Sequence, residues 1–188
     1  MIIYLHGFRS SPDSFKARLI GARLTAQGRG AEFDAPALPV SPRAAIAHVA
    51  SRHRLSAADT LIGSSLGGCY ATVLAARHGC RLVLLNPALR PSAGLSGYIG
   101  RQTFFHDPTR SFEWTADHVQ ELREIEPAHL AHPHRTLLIA ATGDELLDWR
   151  EMLAFCQGAE SRVIQGSDHG LSDFADHLEA VIAFCDRS

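Results

Sequence analysis

The sequence has 188 residues, 46% hydrophobic and 20% charged, with 18 basic and 20 acidic side chains and a formal net charge of −2. That length and balance describe one globular domain with a real core, and they exclude both a disordered polyelectrolyte and a basic nucleic-acid footprint. There is no membrane span of roughly 18 apolar residues, and the cysteines at 69, 80, 156 and 185 have neither C-x-x-C spacing nor a compact framework, so they read as free thiols of a cytoplasmic protein.

The chain opens on an apolar run, residues 2–5, with no basic region or small-residue cleavage site of a secretory signal before it. This run reads as a buried strand ended by His6-Gly7. Phe15, Leu19, Ile20 and Leu24 recur at helical spacing over residues 14–27, and Gly28 lies just past them. Residues 31–35 read as a strand stopped by Pro36. Residues 41–53 read as a helix with Ser41 as N-cap and Pro42 at its first position. A short apolar strand follows at 60–63, then a helix rich in small residues at 66–78, closed by Gly79. Residues 82–85 form the next strand and end at Asn86-Pro87.

Residues 88–127 break this rhythm with scattered aromatics (Tyr98, Phe104, Phe105, Phe112, Trp114) among Gly, Pro and Ser. A helix is expected at 115–125. The aromatics are either core filler or a small cap with an apolar acyl pocket. The alternation resumes with a strand at 136–141, a helix at 149–156, a strand at 162–165 and a last helix at 174–185. Strands alternating with helices imply βαβ units, about six parallel strands covered on both faces, and a ligand site in the loops at their carboxyl ends.

Chemistry is sought in those loops. Gly63-Ser64-Ser65-Leu66-Gly67 places G-x-S-x-G between a strand and a helix. Such a turn holds its central residue, Ser65, in a strained conformation, and glycines two positions either side relieve the crowding. The helix that starts there directs free N–H groups at a developing oxyanion. Two phosphate-loop readings fail. A dinucleotide fingerprint would need Gly at Ser65, and a Walker loop would need Lys-Ser/Thr at Cys69-Tyr70.

A serine nucleophile needs a base, and the base needs an orienting carboxylate, in the chain order Ser, acid, His. Asp144 follows the strand at 136–141 in a Gly-Asp turn. Asp148 is the alternative and reads rather as the N-cap of the next helix; Glu145 also competes. His169, in Gly166-Ser167-Asp168-His169-Gly170, lies between the last strand and the last helix, where the base belongs. His177 falls inside that helix. His6-Gly7-Phe8 ends the first strand in the loop that supplies an oxyanion N–H in α/β-hydrolases; the donors here would be Phe8 and Leu66, with His6 ordering the loop. His129, His132 and His134 form H-x-x-H-x-H, which could ligate zinc, but a solvated connection at the far end of the sheet is the plainer reading. His48 and His53 lie on a helix with no carboxylate partner in view.

Together these residues resemble the α/β-hydrolases, and in particular the small bacterial YqiA-type esterases. The resemblance rests on I-I-Y-L-H-G-F at 2–8, I-G-S-S-L-G-G at 62–68, L-N-P at 85–87, T-G-D-E-L-L-D at 142–148 and D-H at 168–169. It implies a cytoplasmic serine hydrolase of esters or thioesters without metal or cofactor, with Ser65 as nucleophile, Asp144 as acid and His169 as base. The expected fold is a minimal α/β-hydrolase: residues 1–188 as one domain lacking the first two strands of the full fold, with 88–127 as a small cap-like insertion. A non-catalytic ligand-binding or scaffold protein on the same fold, and an acyltransferase, remain alternatives. Oligomeric state, acyl length and leaving group stay open.

Overall fold

The computed structural model describes residues 1–187. β1 (Ile2–Leu5), α1 (Phe15–Ala26), β2 (Phe33–Asp34), α2 (Pro42–Arg52), β3 (Thr60–Ser64), α3 (Leu66–His78) and β4 (Arg81–Leu85) alternate without interruption. A short α4 (Pro91–Leu95), a hairpin of β5 (Gly100–Thr103) and β6 (Ser111–Trp114), and α5 (Ala116–Ile125) then intervene. β7 (Thr136–Ala141), α6 (Trp149–Phe155), β8 (Glu160–Ile164) and α7 (Phe174–Cys185) complete the α-helices and strands of the described residues.

The main sheet has six parallel strands in the order β2-β1-β3-β4-β7-β8. Its central strands are continuous apolar runs because helices cover both faces and successive side chains point to opposite sides. Ile3, Leu5, Leu61, Leu82, Leu84 and Leu138 face one way, against α2, α3 and α6. Ile2, Tyr4, Ile62, Val83, Leu85 and Ile139 face the other, against α1 and α7. The chain runs outward from β1 to β2, then crosses back over β1 to β3. The strand order therefore reverses between β1 and β3, and the crevice outside their carboxyl ends is where such a sheet binds ligands.

Three expectations need correction. The strand expected at 31–35 shrinks to Phe33–Asp34, because Gly30–Glu32 coil into a 3₁₀ turn ahead of it. The strand expected at 162–165 begins earlier, at Glu160; it is an edge strand whose polar residues face water, so its apolar signal is short. His53 does have a carboxylate partner: its Nε2 lies 3.0 Å from Asp34 Oδ2, which also accepts from Arg52 Nε at 2.6 Å.

Within residues 88–127 the hairpin was hidden by composition, since Gly100–Thr103 and Ser111–Trp114 are largely polar and only Trp114 is buried. α5 begins with a reciprocal cap: Thr115 Oγ1 accepts the His118 N–H, and His118 Nδ1 accepts the Thr115 N–H. Among the described residues no helix is long and apolar enough to cross a membrane. The four cysteines are free and buried.

Candidate active site

β3 ends at Ser64 and α3 begins at Leu66, leaving Ser65 to turn the chain with φ 52° and ψ −122°. That is a costly conformation for a residue with a side chain, so its surroundings must hold it. They do so with three main-chain bonds. The Ser65 N–H donates to Leu85 O at 3.2 Å, while its carbonyl accepts from Gly68 at 2.8 Å and Ala88 at 2.9 Å. The flanking glycines are required by space. A Cβ on Gly63 would lie 2.4 Å from Gly67 O, and one on Gly67 would lie 2.0 Å from Leu5 O.

The structure brings His169 and Asp144 to this serine. His169 Nε2 is 2.9 Å from Ser65 Oγ, and His169 Nδ1 is 2.8 Å from Asp144 Oδ2. The Asp144 side chain has 0% exposure and that of His169 17%. Asp144 Oδ1 accepts the N–H groups of Leu146 and Leu147, each at 2.9 Å. With one carboxylate oxygen taken by the backbone and the other facing the ring, Nδ1 carries the imidazole proton. The lone pair of Nε2 then points at Ser65 Oγ, an assignment read from the bonding pattern.

The competing acids have other partners. Glu145 Oε2 accepts the main-chain N–H of His169 at 2.9 Å and so holds that residue's backbone. Asp148 is the N-cap of α6, its side chain accepting the Arg150 N–H at 2.9 Å. His177 lies 3.5 Å from Asp173 on α7.

The loop after β1 lies directly against Ser65: a Cβ on Gly7 would come within 3.1 Å of Ser65 Cβ. His6 orders this loop. Its Nε2 accepts the Leu38 N–H at 3.3 Å, which leaves Nδ1 to donate to Gly7 O at 3.0 Å. Burial lowers its pKa, which keeps the ring in the neutral form that this pattern needs. Among the described residues, the main-chain N–H groups of Phe8 and Leu66 have no protein acceptor.

Phe8 anchors the hairpin segment. Its ring meets those of Trp114, Phe112 and Tyr98 edge-on, with centroids 5.0, 5.7 and 5.8 Å apart. Arg9 Nε donates to Thr103 O at 2.7 Å and its guanidinium lies over Phe105. Between this hairpin and the elbow is a cavity of about 40 Å³ walled by Phe8, Leu38, Leu66, Tyr70, Phe112 and Trp114. A second, wider groove of about 550 Å³ runs from Ala88 along α6 to Phe155, with Arg90 and Glu151 among its walls.

The histidines at 129, 132 and 134 do not act together. His129 lines this groove, which reaches Ala88 beside the elbow, so it is not confined to the far end of the sheet. His132 and His134 flank Pro133 at the amino end of β7, with ring centroids 6.4 Å apart. Among the described residues no His, Cys, Asp or Glu group is arranged to hold a metal ion.

One residue of the site carries no signal in the sequence beyond its place in L-N-P. Asn86, at the end of β4, is fully buried and bonds to the main chain of both Asp168 and His169.

Solved structures share this architecture. The chain is similar to alpha/beta hydrolase domain-containing protein 10 from mouse, at 17% identity and a TM-score of 0.70, over 98% of this chain and 87% of that one. It is similar to a structure reported for the metagenome-derived lipolytic enzymes LipS and LipT, at 16% identity and a TM-score of 0.71, over 98% and 92% of the two chains. It is also similar to Est1E from Butyrivibrio proteoclasticus, at 16% identity and a TM-score of 0.63, over 98% and 85%. Identities this low carry the α/β-hydrolase fold and nothing finer. The family model described as an uncharacterised protein family, UPF0227, matches residues 1–186.

Proposed function

The chain belongs to the UPF0227 family, and from that premise we propose that it is a serine hydrolase of carboxylic esters or acyl thioesters, with Ser65 as nucleophile, His169 as base and Asp144 as acid. The observation that carries this reading is the His169 ring, which bridges Ser65 Oγ at 2.9 Å and Asp144 Oδ2 at 2.8 Å. A binding module would need neither a strained serine nor a buried carboxylate aimed at the far side of the imidazole.

In this reaction Ser65 Oγ attacks the acyl carbonyl as its proton passes to His169 Nε2. Asp144 holds the ring in the required tautomer and stabilises the imidazolium that forms. The N–H groups of Phe8 and Leu66 receive the oxyanion, each contributing on the order of 3 kcal/mol to the transition state. His169 returns the proton to the departing alkoxide or thiolate. It then activates the water that cleaves the acyl-enzyme.

Residues 88–127 act as a small cap. The 40 Å³ cavity beneath the hairpin suits a short acyl chain, and the groove beginning at Ala88 takes the alcohol or thiol part. Four unpaired thiols suit a reducing compartment such as the cytoplasm.

The test is Ser65→Ala assayed on p-nitrophenyl esters. Turnover should vanish while the melting profile is kept, and a fluorophosphonate probe should label the wild type at Ser65 alone. Turnover at the wild-type rate in the variant would sink the proposal.

A further inference from the structure

Asn86 stands at the carboxyl end of β4 with φ 41°, in the left-handed region that Asn tolerates better than most side chains. It has 0% exposure, so its amide must find all its partners within the protein. Oδ1 accepts the Ala141 N–H at 2.8 Å. Nδ2 donates to Asp168 O at 2.9 Å and to His169 O at 3.2 Å. Its own N–H donates to Ile139 O at 3.0 Å.

These partners join two parts of the site that are distant in sequence. Ala141 is the last residue of β7, and its carbonyl accepts the Asp144 N–H at 3.3 Å, so it is the hinge from which the acid's turn springs. Asp168 and His169 belong to the loop that carries the base. One planar amide therefore spans the acid's strand and the base's loop. The neighbouring carbonyl, Gly170 O, is held from the other side by Lys16 Nζ, and the His169 N–H by Glu145.

We infer that Asn86 is a positioning residue, whose amide sets the distance between the turn of Asp144 and the backbone of His169 and so aims the imidazole at Ser65. The inference rests on the triad reading above. The chemistry requires one acceptor and two donors on a short side chain at positive φ. An aspartate of the same shape would turn an oxygen toward two carbonyls. A leucine would leave Ala141 N–H and His169 O unpaired in a buried place, and would leave Asp168 O only the Leu171 N–H at 3.0 Å.

Two variants separate positioning from packing. Asn86→Gly adopts φ 41° without strain and removes the amide together with its Cβ. Asn86→Asp keeps the volume and the Ala141 bond but reverses the contact with the loop. Each is assayed on p-nitrophenyl acetate, with near-ultraviolet circular dichroism to establish the fold and NMR of the His169 Nδ1–H proton to read its bond to Asp144. The expected result is a folded protein, kcat lowered about 100-fold with KM changed by less than about threefold, and a displaced or broadened Nδ1–H resonance. Wild-type kcat and an undisturbed resonance in either folded variant would overturn the inference, as would loss of fold in both, which would assign Asn86 to the core alone. If the wild type neither cleaves esters nor takes up fluorophosphonate, the hydrolase reading fails; the resonance still decides whether Asn86 aims His169.

Discussion

Phe8 and Trp114 meet edge to face with ring centroids 5.0 Å apart. One belongs to the loop after β1 and the other ends the hairpin, so the proposed oxyanion donor and the wall of the small cavity share an anchor. The Trp114 indole N–H donates to Leu95 O at 3.0 Å. Trp114→Phe keeps an aromatic ring but loses that bond and some volume. We expect a stability loss of about 1–2 kcal/mol in urea unfolding. With the cavity enlarged, the ratio of kcat/KM for p-nitrophenyl butyrate over acetate should rise at least about threefold. An unchanged ratio in the folded variant would remove this cavity from acyl binding.

The three candidate acids, Asp144, Glu145 and Asp148, should separate cleanly. Asp144→Asn turns an amide N–H or a weaker acceptor toward Nδ1 and disfavours the useful tautomer; in a related constellation that exchange lowers kcat by about 10⁴-fold. Glu145→Gln keeps an acceptor for the His169 N–H, so kcat should stay within about tenfold of wild type. Asp148→Ala removes the α6 cap at a cost of about 1 kcal/mol of stability, with kcat little changed. A larger fall in kcat for Glu145→Gln than for Asp144→Asn would move the acid to Glu145.

What the sequence makes legible here follows from how local each signal is. The elbow at Ser65 is forced by glycines two positions away, and the Gly-Asp and Asp-His-Gly turns sit at strand ends where the chain must reverse. Each can be read within about ten residues. Asn86 cannot, because its amide partners lie 55, 82 and 83 residues away. The Asp34–His53 contact is hidden for the same reason, since β2 brings the carboxylate to α2 only in the folded sheet. The hairpin escapes notice because strands of four mostly polar residues have too little apolar alternation to register.

The buried thiols make the protein sensitive to alkali. Burial pushes the Cys80 thiol up to about 11 and those of Cys156 and Cys185 up to about 12, and it raises Cys69 as well. In the unfolded chain a thiol ionises near ~8.5. Above that pH the unfolded state releases protons that the folded state retains, so the folded state is the one with more protons bound and stability falls as pH rises. Each thiol contributes a slope of up to about 1.4 kcal/mol per pH unit. Urea unfolding in reducing buffer should therefore give a clearly lower free energy at pH 10 than at pH 8. Equal values at the two pH values would refute it.

Lys16, the chain's one lysine, works in the opposite direction. It is buried on α1 and donates to Gly170 O beside the proposed base. Burial lowers its pKa to about 8, partly countered by the negative charge of Asp168. Below about pH 8 the folded and unfolded states both carry its proton. Between there and the ordinary lysine value near ~10.4 the folded protein gives the proton up while the unfolded chain keeps it. The unfolded state then binds more protons, and this group's contribution to stability rises with pH, by about 3 kcal/mol in all. Lys16→Met abolishes that rise and leaves every thiol in place. The difference in unfolding free energy, wild type minus variant, should therefore increase by about 2–3 kcal/mol from pH 7 to pH 10. Curves that run parallel across that range would refute the lowered pKa of Lys16 in the folded protein.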